Sequence, residues 1–237
     1  MRRLFVAFIF CLFNLSYSSN AFSKTIRYFG EARKNDQIVY SESHEVTYDK
    51  KNKLLKSKTL YKAPDGTTLS ELESDFKESH SLPAHTLKDF TSKRTYGIRY
   101  ENNEGIMFHQ NPEENEKTKP TPLQSEEELF VAAEGLHYYI LENFDLVMSE
   151  QKIPIRFILP SVFDYFRFNL QVEKETPDGI TELSVKIKSF WLKLFAPKMI
   201  LRYNKAQKKL LYYKGLSNIR DKNGNRQVVE INYSYDN

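Results

Sequence analysis

Glu42 and His44 are the two side chains in this sequence best placed to do chemistry. They stand two residues apart where apolar and polar residues alternate, so in a β-strand both point to one face. A carboxylate beside an imidazole can serve as a general acid and base, or contribute to a metal site. A surface pair, or a buried hydrogen-bonded pair, produces the same Glu-x-His pattern. The pair therefore indicates either a hydrolase site or a structural contact.

Other motifs of catalysis or cofactor binding are not found along the chain. There is no Gly-x-Ser-x-Gly and no phosphate-binding glycine loop, because the eight glycines are scattered singly. The five histidines lack the spacing of metal ligands, and His137 lies on an apolar helical stripe, which is typical of a core residue. The sequence predicts no set of catalytic residues, no metal and no cofactor, and nothing in it requires an enzyme.

Residues 1–23 predict export. Arg2 and Arg3 precede an apolar run, Leu4 to Leu15, and small residues stand at −3 and −1 before a cleavage point after Ser23. The run is about 12 residues long, whereas a helix needs about 20 to cross a bilayer. The alternatives are a membrane anchor that is not cleaved and, less favoured, a lipoprotein that uses Cys11. We expect a periplasmic or secreted protein with no transmembrane segment in its mature chain, which begins at residue 24.

The composition narrows the function classes of that mature chain. The single cysteine, Cys11, lies in the predicted signal peptide, so residues 24–237 have no thiol for a disulfide, a nucleophile or a metal. Without Arg2 and Arg3, 33 basic residues face 31 acidic ones, and no dense basic stripe predicts a nucleic-acid partner. The 15 tyrosines and 17 phenylalanines favour β-strands.

The apolar pattern predicts a mainly β fold in one domain, residues 24–237. Strands alternate with period two on both sides of a Pro-rich and charged loop, 110–124, and a helix, 125–149. One strand predicts a buried face with four members, which are Phe166, Phe168, Leu170 and Val172. This order favours a curled antiparallel sheet or incomplete barrel with one long helix, 125–149, across its concave face.

The segment from Leu201 to Tyr233, LRYNKAQKKLLYYKGLSNIRDKNGNRQVVEINY, looks like the ending of small envelope proteins. With its signal peptide, antiparallel strands and helix, the chain resembles the incomplete β-barrels of the Gram-negative envelope. These include the lipoprotein carriers LolA and LolB. The resemblance implies a half-barrel with a helix in its mouth, but fold analogy does not establish function.

The helix and the aromatic segment 190–197 predict an apolar cavity between them. The helix carries more apolar residues than one narrow stripe needs, and the segment interrupts the strand alternation. The predicted ligand-binding residues are Phe130, Tyr139, Phe144, Met148, Trp191 and Phe195. The leading hypothesis is therefore an exported protein that binds or carries a lipid or another apolar ligand. The alternatives are a packed barrel that supports or binds another envelope protein and, less favoured, an envelope hydrolase using Glu42 and His44.

Overall fold

One antiparallel sheet dominates the computed structural model, which describes residues 24–122, 129–149, 152–188 and 198–236. Alternating apolar residues and tight turns produce its strands. Those in the described residues are β1 (Lys24–Lys34), β2 (Gln37–Tyr48), β3 (Leu54–Lys62), β4 (Thr68–Asp75), β5 (Ala84–Asp89), β6 (Arg94–Glu101), β7 (Glu104–Gln110), β8 (Lys117–Pro120), β9 (Leu129–Val131), β10 (Ile153–Leu159), β11 (Asp164–Glu175), β12 (Ile180–Ile187), β13 (Met199–Asn204), β14 (Lys209–Leu216) and β15 (Val228–Tyr235).

The strands follow one another in a meander, and β15 pairs with β1 to join the two halves of the chain. The described sheet therefore begins at β8 and ends at β9. Among its strands, only β9 and β10 pair in parallel. The connections 35–36, 63–67, 90–93 and 217–227 lie at one end, called here the upper end. The connections 49–53, 76–83, 102–103 and 205–208 lie at the lower end. The predicted fold class, a mainly β curled sheet not closed into a barrel, is confirmed.

The predicted helix is shorter than its apolar pattern indicates. Residues 129–131 form strand β9, and two helices follow, α1 (Gly135–Glu142) and α2 (Phe144–Ser149). Ala133 has a φ of +46°, which interrupts a helix, and a Cβ at Gly135 would lie 1.9 Å from the carbonyl oxygen of Ser81. The close approach to Ser81 fixes where α1 begins. The predicted helix start at 125–128 lies outside the described residues.

The predicted loop 110–124 contains an edge strand. Strand β8 pairs with β7, with Ile106 opposite Pro120 and His109 opposite Lys117. Its four residues, KTKP, are all exposed. Lysine and proline on an exposed edge discourage pairing with another chain. Because the segment is charged and rich in proline, its sequence pattern predicted a loop.

The two ends of the sheet overlap like the edges of a scroll. Along β9 and β10, Val131 and Ile155 face the main core, while Phe130 and Ile158 point to the opposite side. Those two outward residues pack against Leu82, Ile98 and Met107, from the inner face near β6 and β7. The inner face at the β8 end thus covers the outer face at the β9 end. At this overlap the two described ends of the sheet are joined by apolar side-chain packing rather than by hydrogen bonds between strands.

The main core lies between the helices and the inner face of β10 to β14. Leu136, Ile140, Phe144 and Val147 of the helices are buried there. The predicted strand face also points inward: Phe168 and Leu170 are buried, while Phe166 and Val172, nearer the strand ends, are partly buried. Neither helix in the described residues is long and apolar enough to cross a membrane.

Candidate functional site

The predicted ligand-binding residues do not meet at one place. Phe130 is 1% exposed in the overlap of the two sheet ends, whereas Phe144 is 2% exposed in the main core. Tyr139 and Met148 pack partly buried against that main core. Phe130 therefore belongs to a different apolar cluster from the helical residues. Trp191 and Phe195 lie outside the described residues.

Glu42 and His44 form the centre of a buried network of polar side chains. His44 Nε2 lies 2.9 Å from Glu42 Oε2, and the other ring nitrogen, Nδ1, lies 2.9 Å from the hydroxyl of Thr59. Thr59 donates to Oε1 of Glu134, the residue that precedes α1, at 2.8 Å. The hydroxyl of Tyr233 donates to Glu42 at 3.1 Å. The network thus ties strands β2, β3 and β15 to the start of the helix.

Glu134 is also held by two serines from neighbouring strands. Ser57 of β3 makes a short hydrogen bond to Glu134 Oε2, and Ser74 of β4 donates to the same oxygen at 3.2 Å. Both serines face inward and are at most 5% exposed. Glu134 therefore accepts hydrogen bonds from three hydroxyl groups. Small hydroxyl residues at these inward positions leave room for a carboxylate inside the sheet.

The hydrogen-bond partners of His44 determine its charge. The Thr59 hydroxyl has one hydrogen, and because it donates to Glu134 it must accept from His44 Nδ1–H. Glu42 Oε2 is an acceptor for His44 Nε2. Both ring nitrogens therefore donate, and His44 is an imidazolium between two carboxylates. Its ring also stacks on Tyr28, with centroids 4.2 Å apart, a contact that suits a cation.

The pKa shifts agree with this assignment. Burial lowers the pKa of His44, but hydrogen bonds and charge from Glu134 and Glu42 outweigh it and raise the value to about 9. Burial raises the pKa of Glu134, and His44 with the serine and threonine hydroxyls outweighs that effect, so the net shift is downward. Burial lowers the pKa of nearby His137 to about 4, so this second histidine is neutral.

The network has the hydroxyl–imidazole–carboxylate order of a hydrolase but not its chemistry. A general base must take a proton from the nucleophile, and the His44 ring already carries both of its protons. Thr59 is 0% exposed, so no substrate reaches its hydroxyl. A metal is equally disfavoured, since Glu42 and Glu134 lie on opposite sides of the ring, and the described residues contain no cluster of three metal-binding side chains. The network is built to hold charge in place.

Beside the network, five inward residues keep partial access to solvent. They are called here the interior cleft and are Ala133, Glu134, His137, Tyr213 and Tyr233. Ile140 and Tyr203, which face the same interior, are 0% exposed, and from this contrast we infer a local gap in the packing. The gap combines phenol, imidazole and carboxylate groups with aromatic carbon. Such a lining suits a ligand with both polar and apolar parts.

Gly30 makes room for the contact between Tyr233 and Glu42. A Cβ at this position would lie 2.9 Å from the Tyr233 ring and 3.1 Å from Glu42 Oε2. The missing side chain therefore makes room for the Tyr233–Glu42 hydrogen bond on the inner face of β1. Gly215 acts similarly higher on the sheet, where a Cβ would lie 2.5 Å from the Tyr213 hydroxyl and 2.9 Å from Met199 Cγ.

Two open grooves lie on the outer face of the sheet. One, of about 430 Å³, is bordered by Phe29, Ile38 and Pro64. The other, of about 470 Å³, is lined largely by charged side chains of β2 to β6, among them Lys58, which pairs with Glu71 and Glu73. Neither groove includes a predicted ligand-binding residue.

Sequence reasoning found Glu42 and His44 but missed their partners. Glu134 lies 92 positions from Glu42 along the chain and falls in the segment interpreted as helix interior. Thr59 and Ser57 alternate with lysines on β3, a pattern that resembles a solvent-facing strand. One signal for these partners was available in the sequence. Ser57 and Thr59 lie on the strand face that points to the apolar core, and hydroxyl groups in such a place need a buried polar partner.

Comparisons with known proteins add a distant structural likeness. No family model and no curated protein matches the chain. A solved structure, described as a β-barrel-like protein of domain of unknown function DUF1849 from Brucella abortus, is similar over 90% of this chain and 97% of that chain. The identity is 6% and the TM-score 0.42, so nothing is inferred from this likeness. The fold described above rests on the hydrogen-bonded strands themselves.

Proposed function

We propose that the protein is exported to the periplasm or secreted and binds an amphiphilic ligand, such as a lipid, in the interior cleft. The observation that carries the proposal is the partial exposure of Tyr213, Tyr233 and His137 in the middle of a buried interior. A protein that needed only a packed barrel would gain stability by filling this gap with apolar side chains.

The cleft has a direction of approach from the upper end. Helix α1 runs from Glu134 towards the lower connection, where Tyr138 packs on Phe76 with ring centroids 4.7 Å apart. The upper part has no helix among the described residues, and inward-facing Tyr96 and Met199 are only partly buried there. A ligand that entered from above would reach the cleft without displacing α1.

The proposal keeps the carrier hypothesis but moves its site. Phe144 and Phe130 would have to leave closely packed clusters to contact a ligand, so we place the apolar contacts at Met199 and Tyr213 instead. Trp191 and Phe195, which lie outside the described residues, stay in the proposal as predicted contacts. Likeness to the LolA and LolB carriers is compatible with this site and remains a prediction.

A titration with matched variants tests the ligand proposal. Delipidated protein should show a shift in Trp191 fluorescence when palmitate or a phospholipid is added, since this is the single tryptophan. Met199→Glu, on the inner face, should weaken binding at least about tenfold by placing a charge against the apolar chain. Ile200→Glu, on the outer face of the same strand, is the control and should bind normally.

A packed envelope scaffold is the second candidate, favoured by complete burial of Leu136, Ile140 and Val147 against the sheet. The same titration separates the two. If no amphiphile shifts the emission, and native mass spectrometry of protein from its own periplasm shows no added lipid mass, the scaffold becomes the better proposal. A Tyr or Met variant of the cleft would then change stability alone.

Export is tested by N-terminal sequencing of material from the periplasm or medium. We expect a mature chain that begins at Lys24, which is also the first residue of β1. Cleavage there would leave the whole strand, and its pairing with β2 and β15, intact. Recovery of a chain that begins at Met1, or of all the protein in the cytosol, would contradict export.

A further inference from the structure

Three arginines gather at the upper end of the roll. Arg94 is the first residue of β6, and Arg220 and Arg226 lie in the connection 217–227 between β14 and β15. Although they come from distant parts of the sequence, the sheet brings both elements to the same end, and all three residues are exposed. Arg94 shares the inner face of β6 with Tyr96, two residues further on.

The connection that carries two of these arginines is firmly held. Ile219 and Gln227 within it are buried, and Gln227 Nε2 donates to the Ile219 carbonyl at 3.2 Å. The hydroxyl of Ser217 lies 2.9 Å from that of Tyr40 and accepts from the Ile219 amide at 2.8 Å. A connection anchored in this way presents its arginines in defined positions, which lowers the entropy cost of binding an anion.

The charges of all three arginines act on Tyr96. Burial and then the charge of Asp89 raise the pKa of Tyr96. Arg220, Arg226 and Arg94 act in the opposite sense. Ile219, which precedes Arg220, belongs to the apolar cluster on which Tyr96 packs, so the connection 217–227 lies close to Tyr96. Tyr96 in turn packs on the same apolar cluster as Tyr213 and Tyr233 of the interior cleft.

Among the described residues, the nearby carboxylates of Asp89 and Asp221 make no ion pair with these arginines. Asp89 accepts hydrogen bonds from the amides of Thr91 and Ser92 and from the Ser92 hydroxyl, and so caps its own turn. Asp221 likewise accepts from two amides of its turn. Within the described part of the chain, Arg94 and Arg226 make no side-chain hydrogen bond or ion pair, and Arg220 donates only to the Gly224 carbonyl.

We propose that Arg94, Arg220 and Arg226 bind the anionic head group, a phosphate or carboxylate, of an amphiphile whose apolar part enters the interior cleft. This rests on the proposed function and adds the ligand class to it. Arginine forks match the oxygens of phosphate and carboxylate in pairs. These three guanidiniums, which make no ion pair within the described part of the chain, supply the charge for one such group. Tyr96 lies between the head-group site and the cleft.

The first experiment compares ligands with one chain length and different heads. Hexadecyl phosphate and palmitate should bind at least about tenfold more tightly than hexadecanol, measured by Trp191 fluorescence at low salt. R94Q/R220Q/R226Q should abolish the preference while hexadecanol binding stays the same. The matched control is K50Q/K51Q/K53Q, which removes three exposed charges at the lower end and should keep the preference.

The second experiment tests the head-group site without an apolar chain. Inorganic phosphate and hexyl phosphate should shift the Nε–H NMR signals of Arg94, Arg220 and Arg226, and 0.5 M salt should reverse the shifts. If these arginines respond but no long-chain ligand binds, the anion site stands and the proposed function fails. If hexadecanol binds as tightly as hexadecyl phosphate, or the lysine control loses the preference equally, the anionic head-group proposal is overturned.

Discussion

The lower and upper parts of the rolled sheet differ in how completely their interior is packed. In the lower part α1 fills the space: Tyr138 packs among Phe76, Leu54 and Val46, all at most 3% exposed. In the upper part inward residues such as Tyr96 and Met199 keep partial exposure. A single sheet can thus be closely packed where a helix covers it and remain accessible where none does.

The difference also separates two uses of polar groups. In the Glu42–His44–Glu134 network, Glu42 and His44 are buried and the Glu134 side chain is 14% exposed. Hydrogen bonds join the three, directly or through Thr59, and their charges compensate one another. At the upper end, Arg94 and Arg226 are exposed and without a protein partner among the described residues. We infer that the lower charges orient the helix, whereas the upper charges are free to act on a ligand.

The largest expected effect is a loss of stability on truncating a core phenylalanine of β11, compared with a second phenylalanine on the same strand face. Phe168→Ala should cost about 3–5 kcal/mol of unfolding free energy, because the side chain is 9% exposed in the main core. Phe166→Ala, two residues nearer the upper end and only partly buried, should cost roughly half of that. Urea denaturation of both variants measures the difference. Equal losses would mean that the upper interior is packed as closely as the lower.

The next effect addresses the network. Glu134→Gln keeps the shape but removes the charge opposite His44 and leaves several donors in competition, so we expect a loss of about 3 kcal/mol. The control is Glu142→Gln at the other end of α1. Glu142 itself is exposed and its partner His80 is partly buried, so the cost should be below about 1 kcal/mol. Similar losses in both variants would show that the buried network does not hold the helix.

Much of the fold could be predicted because alternation is a local signal. The strand face around Phe168 and the curled antiparallel sheet follow from period-two patterns and turns. The extent of α1 could not, since the apolar spacing of residues 129–149 fits a helix equally well. Only the parallel pairing of Leu129 with Ile155, and the approach of Gly135 to Ser81, make β9 a strand.

The site was harder to predict than the fold because its residues come from separate elements. Glu42 and His44 are neighbours along one strand, so their pairing was visible in the sequence. Their link to Glu134 depends on the helix lying against β2 to β4, which no local pattern encodes. The arginines at the upper end are likewise dispersed along the chain, and composition alone shows a nearly neutral protein.

A smaller effect should appear in the pH dependence of stability, where two buried histidines act in opposite directions. The pKa of His44 is raised from 6.5 to about 9, so its stabilisation is complete below pH 6.5 and is lost as the pH rises through 9. The pKa of His137 is lowered to about 4, so the unfolded chain takes up its proton first and stability falls as the pH drops from 6.5 towards 4. Each histidine should contribute on the order of 2 kcal/mol.

Variants of the two histidines test which residue causes the acid side and which the alkaline side of the pH dependence of stability. His44→Gln should flatten the alkaline side between pH 6.5 and 9, and His137→Gln should reduce the slope on the acid side. His85, whose pKa is also lowered by burial, keeps part of the acid slope in both variants. Thermal unfolding across the pH range is the measurement. An unchanged alkaline limb in His44→Gln would contradict an imidazolium between Glu42 and Glu134.

The smallest effect compares one phenol hydroxyl in each part of the interior. Tyr203 is 0% exposed and its hydroxyl lies 2.9 Å from His137 Nδ1, so Tyr203→Phe removes the hydrogen-bond partner of that ring nitrogen. We expect a loss of about 1–2 kcal/mol. Tyr213 donates to the Leu216 carbonyl at 2.8 Å beside the interior cleft, where water can replace the hydroxyl, so Tyr213→Phe should cost about 0.5 kcal/mol or less. Equal costs in urea denaturation would mean that water does not reach Tyr213, and the interior cleft would then lose its role as a binding site.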